Sequence, residues 1–250
     1  MMVWSLILNK LLTKGELEKQ LRAVGIKKYH DKHPFHKLLH SGNATQSQVQ
    51  AWVLNRYCYQ SAIPRKDATL ISKMDDSNLR REWRRRIEDH DGTSNRNSGI
   101  GRWLILAEAV GLDTDYVESM NGALPGTKFA VEGYVNFVRD QPLFNGIASS
   151  LTELFAPSLH RERITGLLEH YKFANKKTLA YFQRRLSQAP RDVQFGLEWV
   201  LENANTYEKQ QGAIEALNFK CNVLWAQLDA LYSAYVEPGF IPPGAWTPEY

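Results

Sequence analysis

Apolar residues recur along most of this chain at alternating spacings of three and four, the mark of helices that bury one face. The longest such stripe is Ile214, Leu217, Cys221, Leu224, Leu228, Leu231 and Tyr235, with Lys220 lying beside it. Over residues 79–92, Leu79, Trp83, Arg86, Ile87 and His90 share one face, while Arg80, Arg81, Arg84 and Arg85 fall on the other. A third stripe is Val49, Val53, Arg56, Gln60 and Ile63, and Pro64 is expected to kink or end that helix. Thr13 with Glu16 and Thr45 with Gln48 are capping boxes that open helices; Gly25 is placed to stop the first of these, and Gly92 ends the helix of the 79–92 stretch. Pro34 suits the first turn of a short helix that ends near Gly42. Further helices are predicted over residues 100–110, 127–140 and 143–154, with Pro157 as a break. Residues 177–188 form another, stopped by Pro190, and residues 192–203 the next. No strand-like alternation or internal repeat stands out. The pattern therefore predicts an all-α bundle of about seven helices in a single domain over residues 1–250. Residues 1–12 read as an N-terminal extension, and the Pro/Gly-rich tail 238–250 should lie over the surface.

Composition narrows the setting. A chain of 250 residues that is 43% hydrophobic can bury a substantial core. The net charge of +4 is small, and its basic residues are mixed with acidic ones, so the Arg-rich face of 79–92 reads as a solvated surface and no nucleic-acid partner is expected. No run of about 18 apolar residues is present, so no membrane association is expected. Two cysteines without CxxC spacing suit reduced thiols in a cytoplasmic protein.

The candidate chemistry lies in polar residues on otherwise apolar stripes: Arg56, Gln60, Arg86 and His90, joined by Tyr181, Arg185 and Lys220. An arginine on a core face must meet an anion or acceptors, because a desolvated, unpaired charge costs several kcal/mol or more. Glu153 is the one interior carboxylate expected beside them, and with His160 it flanks the Pro157 break. Such a cation-rich interior suits an anionic ligand with several carboxylates or phosphates. His30, His33, His36 and His40 have spacings of three, three and four, but Pro34 prevents all four from sharing a face. No histidine has Glu three positions before it, so the ligand pattern of di-iron bundles is missing and no metal is expected. His90 reads as a general acid or base, since an ordinary imidazole titrates near neutrality. Dinucleotide, P-loop and nucleophile-elbow signatures are all missing.

Six ordered motifs add a resemblance. Tyr-His-x-x-His-Pro-Phe-His at 29–36, Trp-Val-x-Asn-Arg-Tyr-x-Tyr-Gln-x-x-Ile-Pro-x-Lys-Asp at 52–67 and Arg-Ile-x-Asp-His-Asp-Gly at 86–92 are the first three. Leu-Pro-Gly at 124–126, Ser-Ser-Leu-Thr-Glu-Leu-Phe-Ala-Pro at 149–157 and Tyr-Phe-x-x-Arg-Leu-Ser-Gln at 181–188 follow. Together they resemble the pyrroloquinoline-quinone synthase family. The resemblance implies a haem-oxygenase-like bundle that forms a homodimer. It also implies the last step of pyrroloquinoline quinone (PQQ) biosynthesis: ring closure of an amino-quinone tricarboxylate and its oxidation by O2 to PQQ, releasing H2O2. Neither metal nor organic cofactor is implied, and other PQQ-biosynthesis proteins are possible partners. Position by position, Tyr29, His30, Arg56, Gln60, Lys66, Arg86, Tyr134, Arg163 and Lys220 match residues that hold the quinone substrate. His90 and His160 match proton-transfer residues. His90, Tyr181 and Arg185 match an oxygen-binding core with Glu153 as its partner, and Lys220 matches a residue on a helix that closes over the ligand.

Residues 93–99 depart from the more acidic loop that the resemblance leads one to expect. Three other functions compete. A metal-dependent oxidase of the same fold would hold iron, a thiamin-degrading hydrolase would need an essential Cys, and a non-catalytic quinone carrier would keep the arginines while dispensing with His90, Tyr181 and Arg185.

Overall fold

The computed structural model describes residues 10–92 and 98–248, and the chain folds into helices throughout. The first is α1 (Lys14–Lys28), capped as expected by the reciprocal Thr13 and Glu16 bonds. A 3-10 turn, His30–Lys32, leads to α2 (Pro34–His40), where Pro34 occupies the first turn and the His33 side chain accepts the Phe35 N–H. Next come α3 (Gln46–Ile71), opened by the Thr45 and Gln48 box, and α4 (Ser77–Asp91), closed by Gly92 at φ 71°. Then follow α5 (Gly99–Ala109), α6 (Thr114–Ser119), α7 (Pro125–Asp140) and α8 (Leu143–Ser149). A second 3-10 segment, Ser150–Leu154, precedes α9 (Ala156–His170), α10 (Ala180–Asn203) and α11 (Tyr207–Tyr235). No strand occurs among the described residues, so the all-α class holds. The described residues hold eleven α-helices against the roughly seven expected; seven of them have fifteen residues or more, and one of these, α9, is not among the segments that the sequence pattern predicts. The other four have eleven residues or fewer.

Three expected boundaries are corrected. α3 passes through Pro64 to Ile71, and α10 runs unbroken from Ala180 to Asn203 across the stop expected at Pro190. A proline removes one helical hydrogen bond, but a long helix packed along both halves keeps its direction through tertiary contact. Gly25 lies inside α1 and does not stop it; a Cβ there would strike the Phe155 ring, so the glycine serves close packing.

α11 runs through the middle of the bundle and packs on α1, α3, α7 and α8. Its stripe is dry: Leu217, Cys221, Leu224, Leu228 and Leu231 are all buried, and so is Lys220. On α4, Leu79, Trp83, Arg86 and His90 are buried as the pattern requires, while exposed Arg84 and Arg85 pair along the helix with Glu88 and Glu82. The tail past Tyr235 folds back over the surface, with the Trp246 N–H donating to the Gly122 carbonyl and the Tyr235 hydroxyl to the Trp246 carbonyl. Most of the proposed extension 1–12 and of the loop 93–99 lies outside the described residues. No described helix is long and apolar enough to cross a membrane.

Candidate active site

The polar positions of six different elements converge on one cavity of about 60 Å³. Tyr29 and His30 enter from the turn after α1, Arg56 and Gln60 from α3, and His90 from the end of α4. Glu153 comes from the second 3-10 segment, His160 from α9, and Tyr181 and Arg185 from α10. Tyr59 from α3 and Leu224 from α11 are among the residues that fill out the wall. The break at Pro157 is what brings Glu153 and His160 together, since Pro157 sits in the first turn of α9 immediately after the 3-10 segment. Nine of the fourteen sequence-derived candidates therefore line the cavity.

The other five stand behind the wall. Lys220 lies over the Tyr134 ring, 3.2 Å from its centroid, and over the cavity-lining Tyr59 ring at 4.2 Å. Its ammonium group has no hydrogen-bond partner, and burial, with Lys66 and Arg56 nearby, pulls its pKa well down. Lys66 pairs with Asp67 and donates to the Ser150 hydroxyl at 3.3 Å. Arg163 lies over the Trp52 and Phe182 rings and donates from Nε to His40 Nε2 at 3.1 Å.

Arg86 differs from its expected role. It does not line the cavity, because three carboxylates hold it: Glu153 at 2.6 Å, and Asp67 and Asp192 at 3.6 Å each. Glu153 uses its second oxygen for Arg185 at 2.7 Å, and Asp192 also approaches Arg185 at 3.5 Å. Burial alone would raise the Glu153 pKa, but the two guanidinium groups outweigh it and bring the value to about 2. Asp192, less well compensated, is raised above its ordinary value by burial. Glu153 is thus not the only interior carboxylate. Asp67 accepts the Trp83 indole N–H at 2.7 Å, and charges of Lys66 and Arg86 overcome its burial to hold its pKa down.

The sequence carried a signal for both overlooked acids. Asp67 continues the α3 stripe four residues after Ile63, and Asp192 lies seven after Arg185, but each falls beyond a proline expected to interrupt the helix, Pro64 by a kink or an end and Pro190 by a stop. Even with them counted, five interior cations (Arg56, Lys66, Arg86, Arg163 and Arg185), with Lys220 beside them, face three carboxylates. The excess positive charge remains, and the buried Arg56 Nε has no acceptor.

The cavity histidines are neutral at physiological pH. Burial first, then the Arg185 charge, lowers His90 to about 4. Its Nδ1–H donates to the Arg86 carbonyl at 2.9 Å, which leaves Nε2 as the lone-pair nitrogen. So His90 is a base rather than the near-neutral acid or base expected from an ordinary imidazole. His160 and His30 are held well below their usual value by burial and by Arg163 and Arg56. The Tyr181 hydroxyl donates to Gln60 at 2.8 Å, fixing the phenol beside Arg185.

Stability should therefore fall in mild acid. Below about pH 6.5 the unfolded chain takes protons on His90 and His40, whereas the folded values of about 4 and about 3 delay uptake in the native state. Glu153 acts with the same sign at lower pH, its stabilising charge being lost from about 4.5 toward about 2. Urea midpoints should drop steadily from about pH 7 to about pH 4.5; a flat profile would mean that these histidines titrate normally.

An all-α bundle of this outline defines the haem-oxygenase-like class. A Shewanella denitrificans domain of unknown function with a heme oxygenase-like fold superimposes with a TM-score of 0.76 at 13% identity, over 95% of this chain and 100% of that one. The chain belongs to the TENA/THI-4/PQQC family, whose pattern matches residues 18–230. It is 63% identical over 227 residues to the pyrroloquinoline-quinone synthase of Rhizobium meliloti (strain 1021), covering 91% of this chain and 89% of the relative. A bifunctional coenzyme PQQ synthesis protein C/D of Methylorubrum extorquens is 55% identical over 240 residues, which is 96% of this chain and 64% of the relative.

Proposed function

We propose that this chain is a pyrroloquinoline-quinone synthase, an oxidase that closes the last ring of an amino-quinone tricarboxylate and oxidises it with O2 to PQQ. The observation that carries the reading is a neutral His90, its Nε2 unprotonated, beside an Arg185 guanidinium held by Glu153. Ring closure and oxidation both remove protons from carbon or nitrogen, which calls for a base that is unprotonated at neutral pH. Each O2 that becomes H2O2 takes two electrons from the substrate and two protons. The fixed positive charge of Arg185, with the Tyr181 hydroxyl, stabilises the developing negative charge on oxygen.

Arg56, Tyr29, His30 and Gln60 hold the carboxylates and quinone oxygens from within the cavity, while Lys66, Tyr134, Arg163 and Lys220 act from the second layer. Arg86 serves through Glu153, keeping that carboxylate where Arg185 needs it. His160, neutral and with Nδ1 unpartnered, is the second proton carrier. At about 60 Å³ the cavity has room for only a few waters, so its wall must part for the substrate and close again, and the family resemblance points to α11, which carries Lys220, as the element that closes.

The reaction runs without metal or organic cofactor. Supporting this, the cavity's one lining carboxylate is already shared by two guanidinium groups, a poor setting for a dication. Family resemblance supports a homodimer, and two free, buried thiols support a cytoplasmic setting. The C/D relative supports contact with another PQQ-biosynthesis protein.

The test is a single turnover with chelator-treated, metal-analysed protein and the amino-quinone precursor. Product spectrum and peroxide should both appear in air and neither without O2. Binding without turnover would favour a carrier, and activity restored only by iron would favour a metal-dependent oxidase.

A further inference from the structure

Outside the cavity, α2 and α9 bring together a second group of ligating side chains. His36 and His40 lie one turn apart on α2, and Glu162 faces them from α9. One donor atom from each lies within 4.8 Å of the others. Pro34 does separate the four N-terminal histidines, as the sequence indicates, yet it leaves these two on a single face.

The details are those of a ligand set. His36 Nε2 is 3.4 Å from Glu162 Oε1, and two ligands about 2.0–2.1 Å from a tetrahedral ion are separated by roughly 3.4 Å. His36 is 1% exposed, yet neither of its ring nitrogens has a hydrogen-bond partner. Buried polar groups normally find one, so this imidazole is in want of an occupant. His40 donates Nδ1–H to the His36 carbonyl at 2.6 Å, which aims the Nε2 lone pair outward. A backbone carbonyl on the far nitrogen is how metal-ligating imidazoles are usually oriented. Glu162 supplies negative charge and is 55% exposed. A surface cavity of about 510 Å³ beside His40 and Glu162 provides entry.

One group opposes an ion here. Arg163 donates its Nε–H to His40 Nε2, and a single lone pair cannot serve both. We propose that His36, His40 and Glu162 form a site for a borderline transition-metal dication such as Zn2+, which exchanges with Arg163 for His40 Nε2. Two imidazoles and one carboxylate suit that class of ion, with water completing the coordination. None of the three residues lines the cavity, and only Arg163, the exchange partner, is shared with the oxidase reading.

The test uses the full chain, stripped with chelator and titrated with ZnCl2 by calorimetry and with CoCl2 by visible absorption. One ion per chain is expected, with the intense absorption of four-coordinate cobalt. Glu162→Ala, at a position that is 55% exposed, should weaken binding at least about tenfold, and His36→Gln likewise. Arg163→Gln removes the competitor and its charge and should tighten binding several-fold. No saturable binding, or binding unchanged in Glu162→Ala, would overturn the site; an Arg163→Gln variant that binds no tighter would overturn the exchange.

Discussion

Glu153→Gln is expected to lower folding stability by about 3 kcal/mol, more than most substitutions in this protein. The carboxylate is the bridge between two buried guanidinium groups, at 2.6 Å from Arg86 and 2.7 Å from Arg185. Glutamine keeps the shape and one acceptor but loses the charge, so two desolvated cations face each other with less compensation. Breaking a buried ion pair by removing one partner typically costs about 3–5 kcal/mol. The lower end applies because Asp192 remains at 3.6 Å and 3.5 Å from the same two arginines. For a chain of this length the melting temperature should fall by roughly 10 °C. The exposed Arg65–Glu132 pair, at 2.9 Å, is the contrast: Arg65→Ala should change stability by less than about 1 kcal/mol, because water already solvates both charges. If thermal unfolding placed Glu153→Gln within about 2 °C of the wild type, the bridge would not be holding the two arginines.

The same bridge shows what was legible in the sequence. Arg86 and His90 were visible because they interrupt an apolar stripe on α4, and a helix of 3.6 residues per turn turns that spacing into a shared buried face. What they faced was not visible, since contacts between α4, α10 and the second 3-10 segment depend on packing rather than on local pattern. Arg86 was expected at the substrate and instead meets carboxylates from three other segments. Asp67 and Asp192 were lost for a different reason, as each follows a proline through which the real helix continues. Proline is a strong local signal, but tertiary contacts along both halves of α3 and α10 overrule it. The acid-base role of His90 is legible in the sequence but its depressed pKa is not, because an imidazole value near 4 is set by burial and by an arginine from another helix.

That depressed pKa leads to the largest kinetic effect expected here. His90→Ala should slow turnover by about 10²–10⁴-fold, the usual contribution of a positioned general base. Substrate affinity should change only a few-fold, because the carboxylates are held by cations rather than by a neutral imidazole. The pH profiles separate this role from a structural one. With His90 at about 4 in the free protein, kcat/KM should rise through about pH 4 and level off well before neutrality. An anionic substrate beside the ring favours the imidazolium, so the corresponding limb of kcat should lie at higher pH. Both limbs should vanish in His90→Ala while the pH dependence of binding persists. A variant that lost affinity as severely as turnover would make His90 a substrate ligand, and the base would then be sought in His160 or His30, the two other neutral cavity imidazoles, each with an unpartnered Nδ1.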